Sequence, residues 1–257
     1  MSEQPRGLWT GLTHKMALRR WARTARGAHT MELSALRAER NWARRLRQHL
    51  DRLIHTADDR LALPPVGSNA MQVPHNADWS WRPELWRGRL PVPGLSSVQS
   101  KSMLGREVTL FHDCDISELT FRQLRNQRAE DLAPYGLRMD VFCFDGSYLS
   151  VVVDLPPEAA HGLQKKHLMR IETIVETEKP IEIFARLNIK NGPNTEQIVR
   201  ELSMTQGHVG VEFDLAYTKL NEKRVEKLWL DLIFEGPEMN QVTLRDFTVS
   251  RRPRADL

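Results

Sequence analysis

The densest group of potentially reactive side chains is the stretch "FHDCD", which contains His112, Asp113, Cys114 and Asp115. Histidine, cysteine and aspartate are all zinc ligands. Neighbouring residues of a strand point to opposite faces, so at most two of the four reach one ion, and no second pair such as C-x-x-C completes a site. A Cys–His dyad needs a third, orienting group, which the sequence does not identify. We therefore interpret the stretch as a strand end followed by a capping residue, and we predict no metal and no cofactor.

The familiar catalytic motifs are missing from the sequence. It has no G-x-S-x-G, no P-loop, no G-x-G-x-x-G and no H-E-x-x-H. Several carboxylates alternate with apolar residues, as solvent-facing positions of strands do: Asp140, Asp145, Asp154, Glu182, Asp214 and Asp231. We predict no catalytic residue and expect a binding or structural module. The alternative is a glycoside-active enzyme, which needs two carboxylates across a cleft.

A sugar-binding surface needs an exposed aromatic ring beside amides or charges. The aromatic candidates are Tyr135, Tyr148, Tyr217 and Trp229. In "KLWLDLIF", Trp229 shares one face with Asp231, while the leucines share the other. In "ARLNIKNGPN", Arg186 and Asn188 lie on one polar face, which suits hydroxyl recognition and equally suits open water. The predicted ligand-binding residues are Trp229, Asp231, Arg186, Asn188 and Tyr217.

Short strands must position these residues. From Glu107 onward the sequence contains about nine strand-like runs at regular spacing, which favours an antiparallel β-sandwich or barrel over an α/β sheet. Asp145-Gly146 between two apolar runs predicts a hairpin with a type I′ turn. Breaks are expected at Lys179-Pro180 and at Asn191-Gly192-Pro193.

The run "QVTLRDFTVSRRP" changes its apolar face partway along. Val242 and Leu244 fall on one face of a strand, and Phe247 and Val249 fall on the other. One extra residue in a β-bulge produces this change of parity. We predict a bulge at Asp246 or beside it.

Two segments depart from the strand pattern. Leu119, Arg122 and Asn126 follow a helical spacing, so we expect a helix or a covering loop between Asp115 and Gly136. Residues 64–103 are rich in proline and tryptophan, and this composition predicts an irregular connector. The tryptophans of "DWSWRPELW" are expected to pack on a folded body, and the alternative is a stacking platform for a sugar or a base.

The clearest helix lies between Met31 and Pro65. Leu36, Ala43, Leu50 and Ala57 recur every seven residues, with Leu46 and Leu53 between them. Pro64-Pro65 is expected to end the helix. The seam over residues 36–57 either packs on the β domain of its own chain or pairs with a second copy in a homo-oligomer.

The positive charge of the chain is concentrated at its N-terminus. Residues 1–60 hold 13 Lys/Arg and 6 Asp/Glu (+7), whereas residues 61–257 hold 24 and 27 (−3). Basic amphipathic helices with aromatic residues bind anionic membrane surfaces. A solvated tail is one alternative, and an acidic patch on another protein is another possible partner. Nucleic acid is not expected, because the body adds no basic groove and no recognition motif. The residues predicted to contact the anionic surface are Trp9, Lys15, Arg19, Arg20, Arg23 and Arg26.

These patterns divide the chain into three regions: a basic helical arm at 1–63, a connector at 64–103 and a β-sandwich domain at 104–257. No apolar run approaches the roughly 18 residues of a membrane span, and no secretory signal is recognisable. Two cysteines, Cys114 and Cys143, favour a reduced compartment over a disulfide framework. We expect a cytoplasmic protein that associates peripherally with the inner face of the membrane.

Two resemblances accompany these patterns. "LWLDLIFEGPEMNQVTLRDFTVSRR", Leu228 to Arg252, resembles the last two strands of galactose-binding-like jelly rolls, the fold of many carbohydrate-binding modules. The stretches "FHDC", "FDGSYLS" and "FARLN" are similar to a bacterial family of unknown function. The first resemblance implies a jelly roll and, by analogy alone, sugar binding; the second implies no activity.

Overall fold

The computed structural model describes residues 8–61, 71–115, 118–128, 131–203 and 208–254, with the backbone alone at 8–12 and 55–61. By their internal contacts, the residues group into two compact units, Met1–Ala57 and Asp58–Leu257. The first unit is helical and the second contains the strands.

The helical unit contains α1 (Leu8–Gly27), and α2 (Leu33–Leu61) begins within it. The carboxylate of Glu32 starts α2, because its Oε2 accepts hydrogen bonds from Ser34 N (2.9 Å) and Ala35 N (3.3 Å). Arg20 Nη2 of α1 lies 3.5 Å from Glu39 Oε1 of α2. The helix predicted after Met31 is confirmed, while Pro64-Pro65 lies outside the described residues. Among the described helices, none is long and apolar enough to cross a membrane.

The described part of the second unit forms thirteen strands and one short α-helix. In chain order they are β1 (Trp79–Trp81), α3 (Glu84–Arg87), β2 (Gly94–Ser96), β3 (Ser102–Leu104), β4 (Val108–His112), β5 (Leu119–Arg125), β6 (Tyr135–Val141), β7 (Leu149–Asp154), β8 (His167–Thr177), β9 (Glu182–Asn191), β10 (Asn194–Glu201), β11 (His208–Asp214), β12 (Val225–Glu235) and β13 (Asn240–Pro253).

These strands form two antiparallel sheets. The first sheet has the order β11-β8-β13-β6-β5-β2, with β1 also paired to β13. The second sheet has the order β10-β9-β12-β7-β4-β3. The chain changes sheet repeatedly, so neighbours within a sheet are mostly distant in sequence. The predicted antiparallel sandwich of jelly-roll type, preceded by helices, is confirmed.

The core lies between the two sheets, because alternate residues of each strand point inward. On β12 the inward residues are leucines and Phe234, as the spacing predicted. Each such side chain contributes about 1.5–3 kcal/mol by leaving water. Large fully buried side chains include Phe121, Phe213, Phe234, Phe247, Leu110 and Leu137.

β13 contains the predicted bulge. Leu244 pairs with Val175 of β8, and Asp246 pairs with the adjacent residue, Ile174. Arg245 is therefore the extra residue. Residues on both sides of the shift are buried, including Leu244 and Phe247. Even-numbered residues such as Leu244 therefore face the core before the bulge, and odd-numbered residues such as Phe247 face it after the bulge, as expected.

The hairpin predicted at Asp145-Gly146 is wrong. β6 belongs to the first sheet and β7 to the second, so residues 142–148 cross between the sheets. Hydrogen bonds to carboxylates, and not the strand pairing of a hairpin, hold this crossover segment. Asp113 accepts hydrogen bonds from Ser147 N (2.7 Å) and Tyr148 N (3.1 Å), and Asp145 accepts one from Asp115 N (3.1 Å).

The "FHDCD" stretch thus anchors the crossover at residues 142–148. β4 ends at His112, and the hydroxyl of Ser147 donates to Asp113 Oδ2 (2.5 Å). That hydrogen bond is the main reason that the pKa of Asp113 lies below its usual value. In the described part of the chain, no three His, Cys, Asp or Glu side chains are grouped so as to hold a metal.

The helix or loop expected between Asp115 and Gly136 is also wrong for its middle part. Residues Leu119–Arg125 form β5, which pairs with β6 and β2. Leu119 and Phe121 alternate into the core. The helical spacing was misleading because the burial of Phe121 and the pairing on both sides determine the conformation.

The proline- and tryptophan-rich segment contributes strands β1, β2 and β3 to the sandwich. Trp86 is fully buried, with its ring centre 5.4 Å from that of Phe247, and its Nε1 donates to Leu244 O (3.0 Å). Trp79 and Trp81 are half-buried against the core. The expected packing role of these tryptophans is confirmed.

Candidate functional site

A row of polar and aromatic side chains crosses the outer face of the second sheet. On β12, Trp229 is paired with Asn188 of β9. Its neighbour on the same face, Asp231, is paired with Arg186 of β9 and Val152 of β7. Since paired residues of antiparallel strands project to the same side, these side chains share one surface.

A groove of about 380 Å³ lies on this surface. Strands β4, β7, β9 and β12 and the residue before β7 form its walls and floor. Its size is that of a site for a small ligand. The lining residues are Phe111, Tyr148, Ser150, Val152, Arg186, Trp229, Asp231 and Ile233.

An ion pair forms part of the groove lining. Arg186 Nε and Nη2 lie 2.7 Å and 2.6 Å from Asp231 Oδ2, and Asn188 Nδ2 donates to the same oxygen (3.1 Å). Gln197 Nε2 donates to Asn188 Oδ1 (2.9 Å) and holds that amide in place. The carboxylate is 4% exposed. All three donors use Oδ2, so the other oxygen, Oδ1, is left as an acceptor among the described residues.

The hydroxyl of Ser150 is the unusual group of the groove. Ser150 is 7% exposed, and its Oγ has no hydrogen-bond partner among the described residues. A buried hydroxyl without a partner costs about 1–3 kcal/mol. A ligand that exchanges a hydrogen bond with this oxygen would recover that cost.

Aromatic side chains border these polar groups. Trp229 and Phe111 are half-exposed, and Tyr148 is exposed. Lys227 Nζ lies 5.9 Å from the ring centre of Trp229 and 2.8 Å from Asp154 Oδ1. The cation therefore sits near the indole while its charge is balanced by a carboxylate.

Three cations on this face are each paired with a carboxylate. Besides Arg186–Asp231 and Lys227–Asp154, Lys190 Nζ lies 3.0 Å from Glu226 Oε2. Arg186, Lys227 and Lys190 thus each have an acidic neighbour. The groove consequently offers hydrogen-bonding groups without a strong net charge.

Three of the predicted ligand-binding residues, Trp229, Asp231 and Arg186, line this groove, and Asn188 supports Asp231 from beside it. The fifth, Tyr217, is 84% exposed and ends a short 3-10 helix, Leu215–Tyr217, that follows β11 of the first sheet. The sequence did not identify Phe111, Ser150 or Val152. Their alternation placed them on strands, but their position on the same face as Trp229 and Asp231 follows only from the strand order.

A second groove, of about 460 Å³, lies over the outer face of the first sheet. Its charged residues bond to one another: Arg170 to Glu172 (2.8 Å), and Arg252 to Glu212 (3.1 Å). Hydrogen bonds within the protein thus already occupy its charged groups. The groove that contains Ser150 is the better candidate for a ligand, because aromatic side chains and a hydroxyl without a partner among the described residues accompany its ion pair.

The sequence matches the Family of unknown function (DUF6478) over residues 1–257. No protein with a curated description matches it. The family resemblance noted in the sequence is confirmed.

Solved structures similar to this chain include the enzymatically active domain of tailspike protein 4 from bacteriophage CBA120, with 7% identity and a TM-score of 0.41 over 62% of this chain and 21% of that one. The chain thus spans about a fifth of the tailspike structure. The xylan-binding domain CBM22-1 of Paenibacillus barcinonensis Xyn10C has 10% identity and a TM-score of 0.38, covering 63% and 94%.

A family 11 carbohydrate-binding module from Clostridium thermocellum, solved with a mixed-linked tetrasaccharide, has 10% identity and a TM-score of 0.36, covering 64% and 97%. Carbohydrate-binding modules are thus among the structures to which this chain is similar.

Proposed function

The chain belongs to this family of unknown function, and we propose that its sandwich is a non-enzymatic module that binds a carbohydrate in the groove beside Trp229. The observation that carries the proposal is the Ser150 hydroxyl, buried in the groove without a partner among the described residues. It lies in a lining that also presents Trp229, Tyr148 and Phe111. A ligand for this site needs an apolar face and hydroxyl groups together.

Sugars have that combination. The C–H face of a pyranose ring packs on an aromatic side chain, and its hydroxyl groups exchange hydrogen bonds at the rim. In this groove Trp229 supplies the platform and Asp231 Oδ1 supplies a hydrogen-bonding position. Ser150 Oγ supplies a second one once the side chains that cover it move aside. Because the charges nearby are paired, we expect a neutral sugar rather than an acidic one.

Binding fits the groove better than hydrolysis does. Glycoside hydrolases generally use two carboxyl groups that flank the scissile bond. Among the described residues that line this groove, Asp231 is the single carboxylate, and it is held by Arg186. A hydrolase at this site would lack the second group.

A glycan array with the full-length protein tests the proposal. Calorimetry on the hits should show that Trp229→Ala weakens binding by about 2 kcal/mol, roughly 30-fold. Tyr217→Ala is the matched control, because it removes an exposed aromatic ring outside the groove, and it should bind as the wild type does. No binding on the array, or equal losses in both variants, would contradict the proposal. Turnover of a hit that Asp231→Asn abolishes would make the protein an enzyme.

We also propose that the basic N-terminal arm binds an anionic surface. Lys15, Arg19, Arg20, Arg23 and Arg26 are all exposed on α1, and the segment 5–30 contains no acidic residue. Of these cations, Arg20 has an acidic neighbour in α2, and its guanidinium lies 5.5 Å from the ring centre of Trp21. The side chain of Trp9 lies outside the described residues.

The test is binding to anionic vesicles at low and high salt. Arg19→Gln/Arg23→Gln should reduce binding at low salt, and high salt should reduce it for the wild type, because exposed charges are screened. A surface contact that neither change affects would contradict the proposal.

A further inference from the structure

The helical unit is incompletely packed. Among its described side chains, residues 13–54, none is buried. Trp21 of α1 and Leu36 and Ala43 of α2 are half-buried at best. A pair of helices obtains most of its stability from burying an apolar face, and these helices leave much of theirs in water.

The exposed apolar residues of α2 form a continuous stripe. Trp42, Leu46, Leu50 and Leu53 are all exposed, and at 100° per residue their spacing keeps them within about 80° of the helix circumference. Ile54 extends the stripe on one side. We refer to Trp42, Leu46, Leu50, Leu53 and Ile54 as the α2 stripe.

Arginines border the α2 stripe on both sides. By the same geometry Arg47 follows one edge, and Arg45 and Arg52 follow the other; all three are exposed. An apolar face with Trp and Leu between basic flanks is typical of helices that lie in the headgroup region of a bilayer.

We infer that the α2 stripe inserts into the headgroup region of an anionic lipid membrane. This inference rests on the anionic-surface contact proposed for α1 and identifies that surface as a bilayer. The cations of α1 and α2 attract the acidic headgroups, and the stripe supplies the apolar burial that charge alone lacks.

Charge favours a membrane over a second copy of the chain. Residues 13–54 contain 11 Lys/Arg and 3 Asp/Glu, a net charge of +8. Two such units would repel each other, and helices that pair through a seam commonly carry opposite charges along its edges. The stripe also distinguishes a bilayer from a nucleic acid, since phosphate contacts do not require a row of leucines.

Co-sedimentation of the full-length protein with vesicles tests this inference. We expect the wild type to pellet with vesicles of phosphatidylcholine and phosphatidylglycerol at low salt, and to remain in solution with phosphatidylcholine alone. Leu46→Ser/Leu50→Ser should weaken binding at least about tenfold. Leu33→Ser is the matched control, because Leu33 is an exposed leucine of α2 on another face, and it should stay within about twofold of the wild type. Circular dichroism confirms that the variants keep their helix content.

The outcomes separate the two proposals. If the stripe variant binds like the wild type while Arg19→Gln/Arg23→Gln loses binding, the anionic contact stands and insertion of the stripe is overturned. If the wild type does not pellet, both proposals fail. A dimer that Leu46→Ser/Leu50→Ser dissociates would assign the stripe to a second copy. Binding to duplex DNA that the stripe variant retains, without pelleting on vesicles, would assign the cations to nucleic acid.

Discussion

Replacing Arg82 with methionine should destabilise the sandwich strongly. Arg82 is 2% exposed, and its guanidinium donates twice to Asp246, from Nε to Oδ1 and from Nη2 to Oδ2, both at 2.8 Å. Asp246 also accepts from Phe247 N (2.7 Å) beside the bulge. The variant Arg82→Met keeps most of the buried volume and removes the charge, leaving the carboxylate with one donor.

The expected loss in the free energy of unfolding is about 3–5 kcal/mol, the usual cost of removing one partner of a buried ion pair. The second substitution of the pair, Asp246→Leu in the background of Arg82→Met, should recover part of this loss, because no unpaired charge then remains. Single and double variants together form a double-mutant cycle.

The loss should depend on pH. Burial raises the pKa of Asp246, and the hydrogen bonds and charge of Arg82 act against that rise. Without Arg82 the pKa rises further, so the folded protein binds a proton that the unfolded chain has released. Stability then falls as pH increases from the ordinary carboxyl pKa to the raised one, and the variant is least stable above it.

Urea unfolding followed by tryptophan fluorescence measures these differences at about pH 5 and pH 8. We expect Arg82→Met to lose clearly more stability at the higher pH. If the free energy of unfolding of Arg82→Met fell by less than about 1 kcal/mol at pH 8, the argument would be refuted, since a buried carboxylate without its cation destabilises a protein by more than that. An equal loss at both pH values would refute the part that concerns the pKa.

Three further results are expected. Ser150→Ala should leave the free energy of unfolding unchanged or raise it by about 1 kcal/mol, and weaken carbohydrate binding about tenfold, as chemical unfolding and calorimetry would show. Burial is the main reason that the pKa of His167 is lowered, and the charge of Arg251 is the next. The contribution of His167 to the free energy of unfolding is therefore complete above about pH 6.5 and is lost as pH falls through the lowered pKa. Urea unfolding at several pH values should show that the free energy of unfolding of His167→Asn falls less steeply on acidification than that of the wild type. Gly146→Ala should reduce the midpoint of urea unfolding by an amount equivalent to about 1–3 kcal/mol, because a Cβ there would lie 2.9 Å from Cys114 N.

The sequence identified features that follow from local periodicity. The alternation around Asp246 located the bulge, since a change of parity along one strand needs no knowledge of its neighbours. The alternation in "KLWLDLIF" likewise separated the core face of β12 from the face with Trp229 and Asp231. Both predictions concern one strand at a time.

Features that depend on pairing between strands far apart in sequence could not be predicted from local periodicity. Asp145-Gly146 has the composition of a hairpin turn, but the carboxylates of Asp113 and Asp145 stabilise a crossover between sheets instead. Ser150 is an ordinary strand residue in sequence, and its missing hydrogen bond becomes visible only once β4 and β12 are placed on both sides of β7. The site was therefore half predictable: its residues on β9 and β12 were identified, and those on β4 and β7 were largely missed.

The strand order has a consequence for synthesis of the protein on the ribosome. β12 lies between β9 and β7, and β13 lies between β8 and β6, so the strands at residues 225–253 join the halves of both sheets. While Val225 and the residues after it are still inside the ribosome, β6, β7, β8 and β9 each have one edge without its partner strand. Such edges are open to wrong pairing and aggregation. The sandwich thus closes only after residue 253 has left the ribosome tunnel, and a translational pause before Val225 would prolong the period in which the nascent chain needs a chaperone.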